Sequence, residues 1–198
     1  MPDELEVKTV VTDPARTRTR LRAAGAQETF RGMMRDRRYD QDGRLTDRDE
    51  VLRMRTFEPA GGAPIVVIGW KGRVQRSREG YKLRQEIEYS TLEGDRAAQF
   101  LEALGYRVVQ VIDRYVEVFS VRGASARLEW YPRMDVLLEI EGPPAGIESA
   151  IAATGIPRQE FLADALAAFV ERYEARSRES AVLAEADLHG APPSWQRS

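Results

Sequence analysis

The 198-residue chain predicts an α+β domain in which antiparallel strands close into a barrel and helices cover its outside. The main ground is charge at period two. Glu4, Glu6 and Lys8 alternate with Leu5 and Val7. Arg53 and Arg55 alternate with Leu52 and Met54, and Lys82, Arg84, Glu86 and Glu88 with Leu83, Ile87 and Tyr89. Arg127 and Glu129 alternate with Leu128 and Trp130, and Glu139 and Glu141 flank Ile140. Successive side chains of a strand point to opposite faces, so each run puts its charges on one face and its apolar residues on the other. Such a sheet is inverted relative to an ordinary core unless the charged face encloses a space. Closure into a barrel supplies that space, with the polar face turned to a lumen and the apolar face covered by helices.

The elements follow in order. A first strand covers about residues 3 to 10. Asp13-Pro14 then supplies a helix cap and a proline suited to the first helical position, and the helix stops at Gly25. Strands are expected over Thr29 to Tyr39 and Glu50 to Glu58, joined through a turn at Asp42-Gly43. A turn at 59–62 feeds strands over Ile65 to Lys71 and Tyr81 to Tyr89. Ala98, Leu101 and Leu104 mark a helix from Asp95 to Leu104, ended by Gly105. Three strands follow at Val108 to Val121, Ala126 to Trp130 and Leu137 to Glu141. Helices are expected over Ile147 to Ala153 and Gln159 to Arg176, the second with Phe161, Leu162, Leu166, Phe169, Val170 and Tyr173 as its packing face. The organisation is one domain over 1–180 and a flexible tail over 181–198, which holds the lone His189.

Composition narrows the function classes. There is no cysteine, which removes disulfides, thiol nucleophiles and thiolate metal sites. No apolar run approaches the roughly 18 to 20 residues of a membrane span, and the acidic N-terminus is unlike a secretory leader, so a cytoplasmic protein is expected. With 30 basic and 32 acidic residues, a general nucleic-acid or membrane binder is disfavoured. The arginine-rich stretch 31–38 reads as a loop or a strand at the barrel rim.

Two carboxylates on one strand face repel unless a cation sits between them, so Glu4 and Glu6 suggest a metal site. The set Glu4-Leu5-Glu6-Val7-Lys8, Leu52 to Arg55, Trp70-Lys71-Gly72, Arg84 to Glu88 and Leu138 to Gly142 resembles, in order and spacing, the CYTH domain or triphosphate tunnel metalloenzymes, over roughly residues 2 to 175. The resemblance implies an eight-stranded antiparallel barrel whose tunnel binds a triphosphate and divalent cations. It implies Mg2+ or Mn2+ held by Glu4, Glu6, Glu139 and Glu141, with Glu86 or Glu88 facing the same space. A triphosphate needs its charges placed more than it needs covalent chemistry. Arginine forks and lysine point charges do this, and the candidates are Arg53, Arg55, Lys71, Arg84 and Arg114. Lys8 is the catalytic candidate, for binding phosphate or orienting water, with a simple ion pair to Glu6 or another carboxylate as the alternative.

The chain also departs from the family. Ile112 stands where many members carry lysine, and Glu129 where they often carry aspartate. The expected function is a metal-dependent hydrolase acting on inorganic triphosphate, a nucleotide or thiamine triphosphate, with a class IV-like adenylyl cyclase making cyclic AMP and pyrophosphate as the alternative and a sensor that binds without turnover as the second alternative. A homodimer is also left open.

Overall fold

The computed structural model describes residues 3–76 and 82–196, with the side chains of Asp3, Glu4 and Lys82 outside that description. Strand β1 (Asp3–Val10) leads to α1 (Pro14–Ala23), whose N-cap Asp13 accepts a hydrogen bond from the Arg16 backbone N–H at 2.9 Å. Next come β2 (Gln27–Asp40), β3 (Val51–Pro59), β4 (Ile65–Lys71), the short β5 (Gln75–Arg76) and β6 (Lys82–Thr91). Helix α2 (Gly94–Ala103) precedes β7 (Arg107–Val121), β8 (Ala124–Trp130) and β9 (Leu137–Glu141), and α3 (Pro144–Thr154) and α4 (Leu166–Ser177) follow.

Neighbouring strands run in the order β1-β9-β8-β7-β2-β3-β4-β6, all antiparallel, and pairing of β6 with β1 closes the ring. The expected eight-stranded barrel is therefore present, with β5 added beside β6. Tyr81, placed by the sequence at the start of the strand that is β6 here, lies outside the described residues.

The outward faces of β1, β7, β8 and β9 carry Val7, Phe119, Leu128, Leu138 and Ile140, which bury against Leu21 of α1 and Ile147, Ala150 and Ile151 of α3. Removing this apolar surface from water is the main stabilising term for that side of the barrel.

The expected helix from Gln159 to Arg176 is shorter in the structure. After a single 3-10 turn at Arg158–Glu160 the chain is extended, and α4 begins only at Leu166. The reason lies in strand pairing. β6 covers β1 only from Asp3 to Glu6, leaving the Lys8 backbone exposed on that edge. Leu162 takes the edge, with reciprocal N–H···O bonds to Lys8 of 2.8 Å each way. Satisfying buried main-chain groups outweighs the helical pattern. Phe161 then packs into the barrel-side core while Phe169 joins a second cluster.

The stretch 31–38, read as a loop or rim strand and included in the strand expected over Thr29 to Tyr39, is the middle of the 14-residue β2 in the barrel wall. The segment expected to be a flexible tail runs back over the barrel. Val182 exchanges backbone hydrogen bonds with Arg133, the Asp113 N–H donates to the Leu183 carbonyl at 2.7 Å, and Ser194 Oγ donates to the Tyr131 carbonyl at 2.6 Å. Among the described residues no helix is long and apolar enough to cross a membrane.

Candidate active site: a charged tunnel

Strand register brings the predicted charges together. On β3, Arg55 lies opposite Asp36 of β2 and Val67 of β4, and Arg53 lies opposite Arg38 and Gly69. Residues paired across strands share a face, so β2 adds Asp36 and Arg38 to the inward side. Across the ring, Lys8 is opposite Glu139, and Glu139 is opposite Arg127. The charged residues among these line a cavity of about 350 Å³ together with Glu6, Lys71, Arg84, Arg114 and Tyr131.

The cationic candidates converge. Arg53 donates to Glu86 at 2.8 Å and to Glu88 at 3.3 Å, and Lys71 pairs with Glu86 at 3.0 Å. Arg55 and Arg114 both donate to Asp36 Oδ2, at 3.3 and 3.1 Å. Arg84 reaches Asp49 near the mouth at 2.5 Å. Glu86 and Glu88, grouped by the sequence with the metal carboxylates, are thus held by cations of the β3–β4 wall, away from Glu139 on β9.

The opposite wall is acidic. Lys8 Nζ pairs with Glu139 and, at 3.2 Å, with Glu6, and Arg127 also pairs with Glu139. The ion pair that was the alternative reading of Lys8 is present, and its ammonium still borders the cavity. Glu141 is the cross-strand partner of Glu6. The Glu4 backbone pairs with Arg84 on β6, but its side chain is outside the described part. Among the described residues, no three acidic or histidine side chains stand close enough together to enclose a metal ion by themselves.

Three luminal residues, Asp36, Arg127 and Glu129, carry more of the site than the sequence reading assigned to them. Asp36 was missed because Arg35, Arg37 and Arg38 surround it, so this stretch lacks the charged–apolar alternation of the other strands. Arg127 showed only as alternation, and Glu129 as alternation and as a departure from the family's aspartate. In the structure Glu129 is fully buried, accepting from the Tyr131 hydroxyl at 2.6 Å and from Arg127 at 2.8 Å, with Arg114 at 3.4 Å. Burial acts to raise its pKa, but Arg114 and Arg127 hold it down to about 2. Asp36 is likewise lowered against its burial by Arg55 and Arg114. Burial and then the nearby Arg53 push Arg55 the other way, below the usual guanidinium range.

The buried Nε atoms of Arg38, Arg53, Arg55, Arg84 and Arg114 have no hydrogen-bond partner among the described residues, nor does Asp36 Oδ1. An unsatisfied buried donor is costly. Repeated on five guanidiniums around one cavity, it marks a surface suited to several anionic oxygens.

The CYTH domain model matches residues 3–142, most of the chain and the whole ring of strands. The chain belongs to the CYTH domain family. Among curated proteins, none matches it. Solved structures similar to this CYTH chain include a putative adenylate cyclase from Vibrio parahaemolyticus, with a TM-score of 0.68, 18% identity, and coverage of 85% of this chain and 97% of that one. A Pyrococcus horikoshii protein aligns with a TM-score of 0.66 and 21% identity over 89% of this chain and 99% of its own. A putative adenylyl cyclase from Hippeastrum, described as having a dominant triphosphatase activity, aligns with a TM-score of 0.59 and 16% identity over 85% and 96%. At these identities the likeness is one of fold.

This CYTH chain closes part of its tunnel with apolar residues. Ile112, noted from the sequence as a departure from the expected lysine, faces the lumen opposite Asp36 but is fully buried with Leu137, Tyr131, Met134 and Phe169. Leu166, Val170 and Tyr173 of α4 and Ala181 and Leu183 of the final segment pack on the same cluster. β7 therefore supplies the cavity with one cation, Arg114.

The acidic wall fits a hard divalent ion by its chemistry. Glu6 and Glu141 are directly opposite one another, with Glu139 on the same strand as Glu141, and all the candidate donors are carboxylate oxygens.

Proposed function

We propose that this CYTH protein is a divalent-cation-dependent hydrolase of a small triphosphate, cleaving the terminal phosphoanhydride to release orthophosphate. The observation that carries the reading is the set of buried, unpartnered guanidinium N–H groups around a cavity whose other wall is carboxylate. Arg53, Arg55 and Arg114, with Lys71 and Arg84, bind phosphate oxygens and hold the chain in line for attack. In doing so they exchange part of their present bonding to Asp36, Glu86 and Asp49 for bonds to the substrate.

Glu6, Glu139 and Glu141, with Glu4, would hold Mg2+ or Mn2+. When bound, the ion neutralises phosphate oxygens and lowers the pKa of a water molecule. Lys8, between Glu6 and Glu139, orients a phosphate oxygen or the water. Attack of water oxygen on the terminal phosphorus forms one P–O bond and breaks the bridging one, and the departing diphosphate end keeps the electron pair. Among the described residues no luminal group forms a recognisable reader of a base or ribose, and hydrolysis requires none.

Adenylyl cyclase activity is the second reading, since the Vibrio and Hippeastrum neighbours carry that description. The deciding experiment incubates the protein with inorganic triphosphate, thiamine triphosphate or ATP, each with Mg2+ or Mn2+, and separates the products. Metal-dependent orthophosphate release is expected. Cyclic AMP with stoichiometric pyrophosphate from ATP would establish the cyclase instead, and tight binding without turnover would establish a sensor.

A further inference from the structure

Arg38 differs from the other luminal arginines. Arg53, Arg55, Arg84, Arg114 and Arg127 each donate to a carboxylate. Among the described residues Arg38 makes no ion pair or side-chain hydrogen bond, and its Nε is buried without a partner. Its register places it opposite Arg53 on β3 and Gln110 on β7, one inward position beyond the facing pair Asp36 and Ile112. Directly after it, β2 shifts register at Arg38/Tyr39 and bends into the loop whose Thr46 lines the mouth. That loop is pinned by Asp40, which accepts from the Gln41, Leu45 and Thr46 N–H groups at 2.7, 2.9 and 3.1 Å and from the Thr46 hydroxyl at 2.6 Å.

Arg38 is therefore a cation held on a rigid strand end, between the inner cavity and its opening. Burial disfavours its charge, Asp36 favours it, and Arg114, Arg53 and Arg84 oppose it further. A guanidinium in that setting gains most from an anion that reaches it from within the tunnel. The inner cations already share carboxylates: Asp36 serves Arg55 and Arg114, and Glu86 serves Arg53 and Lys71. In the row next to the mouth β7 presents the uncharged Gln110, and Arg53 of β3 is already committed to Glu86 and Glu88, so Arg38 of β2 is the cation of that row left without a carboxylate.

We propose that Arg38 is a substrate-binding residue that holds the mouth-proximal phosphate of a polyphosphate and so sets the tunnel's preference for three linked phosphates over two. The proposal rests on the triphosphate reading of the cavity given above. A diphosphate seated among the inner cations leaves Arg38 unused, whereas a third phosphate spans to it. Bidentate geometry makes lysine only a partial substitute.

The test is calorimetric titration of inorganic tripolyphosphate and of pyrophosphate into wild type, Arg38→Gln and Arg38→Lys, in chelator so that no turnover occurs, with thermal melts of each variant. Arg38→Gln is expected to weaken tripolyphosphate about 10-fold or more and pyrophosphate less than about 3-fold, with Arg38→Lys between wild type and Gln. Tripolyphosphate affinity within about 2-fold of wild type, or equal losses for both ligands, would overturn the assignment while leaving the triphosphate reading intact. Wild type that binds neither ligand would overturn both. Loss of folding in both variants would assign Arg38 a structural role and also overturn the proposal.

Discussion

Asp36 and Arg114 are joined across β2 and β7 by a buried hydrogen bond of 3.1 Å, and the same carboxylate oxygen also holds Arg55. One carboxylate thus keeps two guanidiniums together in the middle of the lumen. Removing one partner of a buried ion pair leaves uncompensated charge and costs about 3–5 kcal/mol. Asp36→Ala is expected to lose stability in that range by urea denaturation, and to recover more of it than wild type does on adding tripolyphosphate, which supplies the missing negative charge. A loss below about 1 kcal/mol would show that the arginines relax to solvent.

The acidic wall leads to a different expectation. Glu6→Gln and Glu139→Gln each remove one negative donor next to Lys8, and each should reduce metal-dependent turnover by about 100-fold while leaving the far-UV spectrum unchanged. Full turnover by chelated wild type, or by both variants, refutes the metal assignment.

Replacement of Arg53 or Arg55 by alanine should weaken triphosphate binding by about 10-fold, with lysine restoring only part of it. Calorimetry of the folded variants reads this directly. Unchanged affinity would assign both residues to ion pairs with Glu86 and Asp36 alone.

Acid stability reports on Glu129. Its folded pKa lies near 2 against an ordinary 4.5, so its contribution is complete above about pH 4.5 and is lost as pH falls toward 2. Asp36 and Glu88, also lowered, act in the same direction. Unfolding free energy should therefore drop with decreasing pH across this window, and Glu129→Gln should flatten the slope. An identical slope in the variant would place the titration elsewhere.

Period-two charge in 4–8, 53–55, 82–88, 127–129 and 139–141 was enough to determine that this chain makes a barrel with a charged lumen, because alternation in a strand admits one inward face. The candidate residues of β1, β3, β6 and β9 were legible for the same reason, and Lys71 of β4 and Arg114 of β7 only through the family resemblance. Register belonged to the tertiary structure. Only strand pairing sets Glu139 beside Lys8, separates Glu86 and Glu88 from the β9 carboxylates, and puts Asp36 between Arg55 and Arg114. It also decided what local pattern could not: Leu162 leaves a helical pattern to satisfy the Lys8 backbone, and Ile112 faces the lumen yet ends in an apolar cluster with α4. Local sequence specifies which face a side chain takes, while its partner across the barrel depends on stagger and on main-chain groups that must be satisfied at a distance.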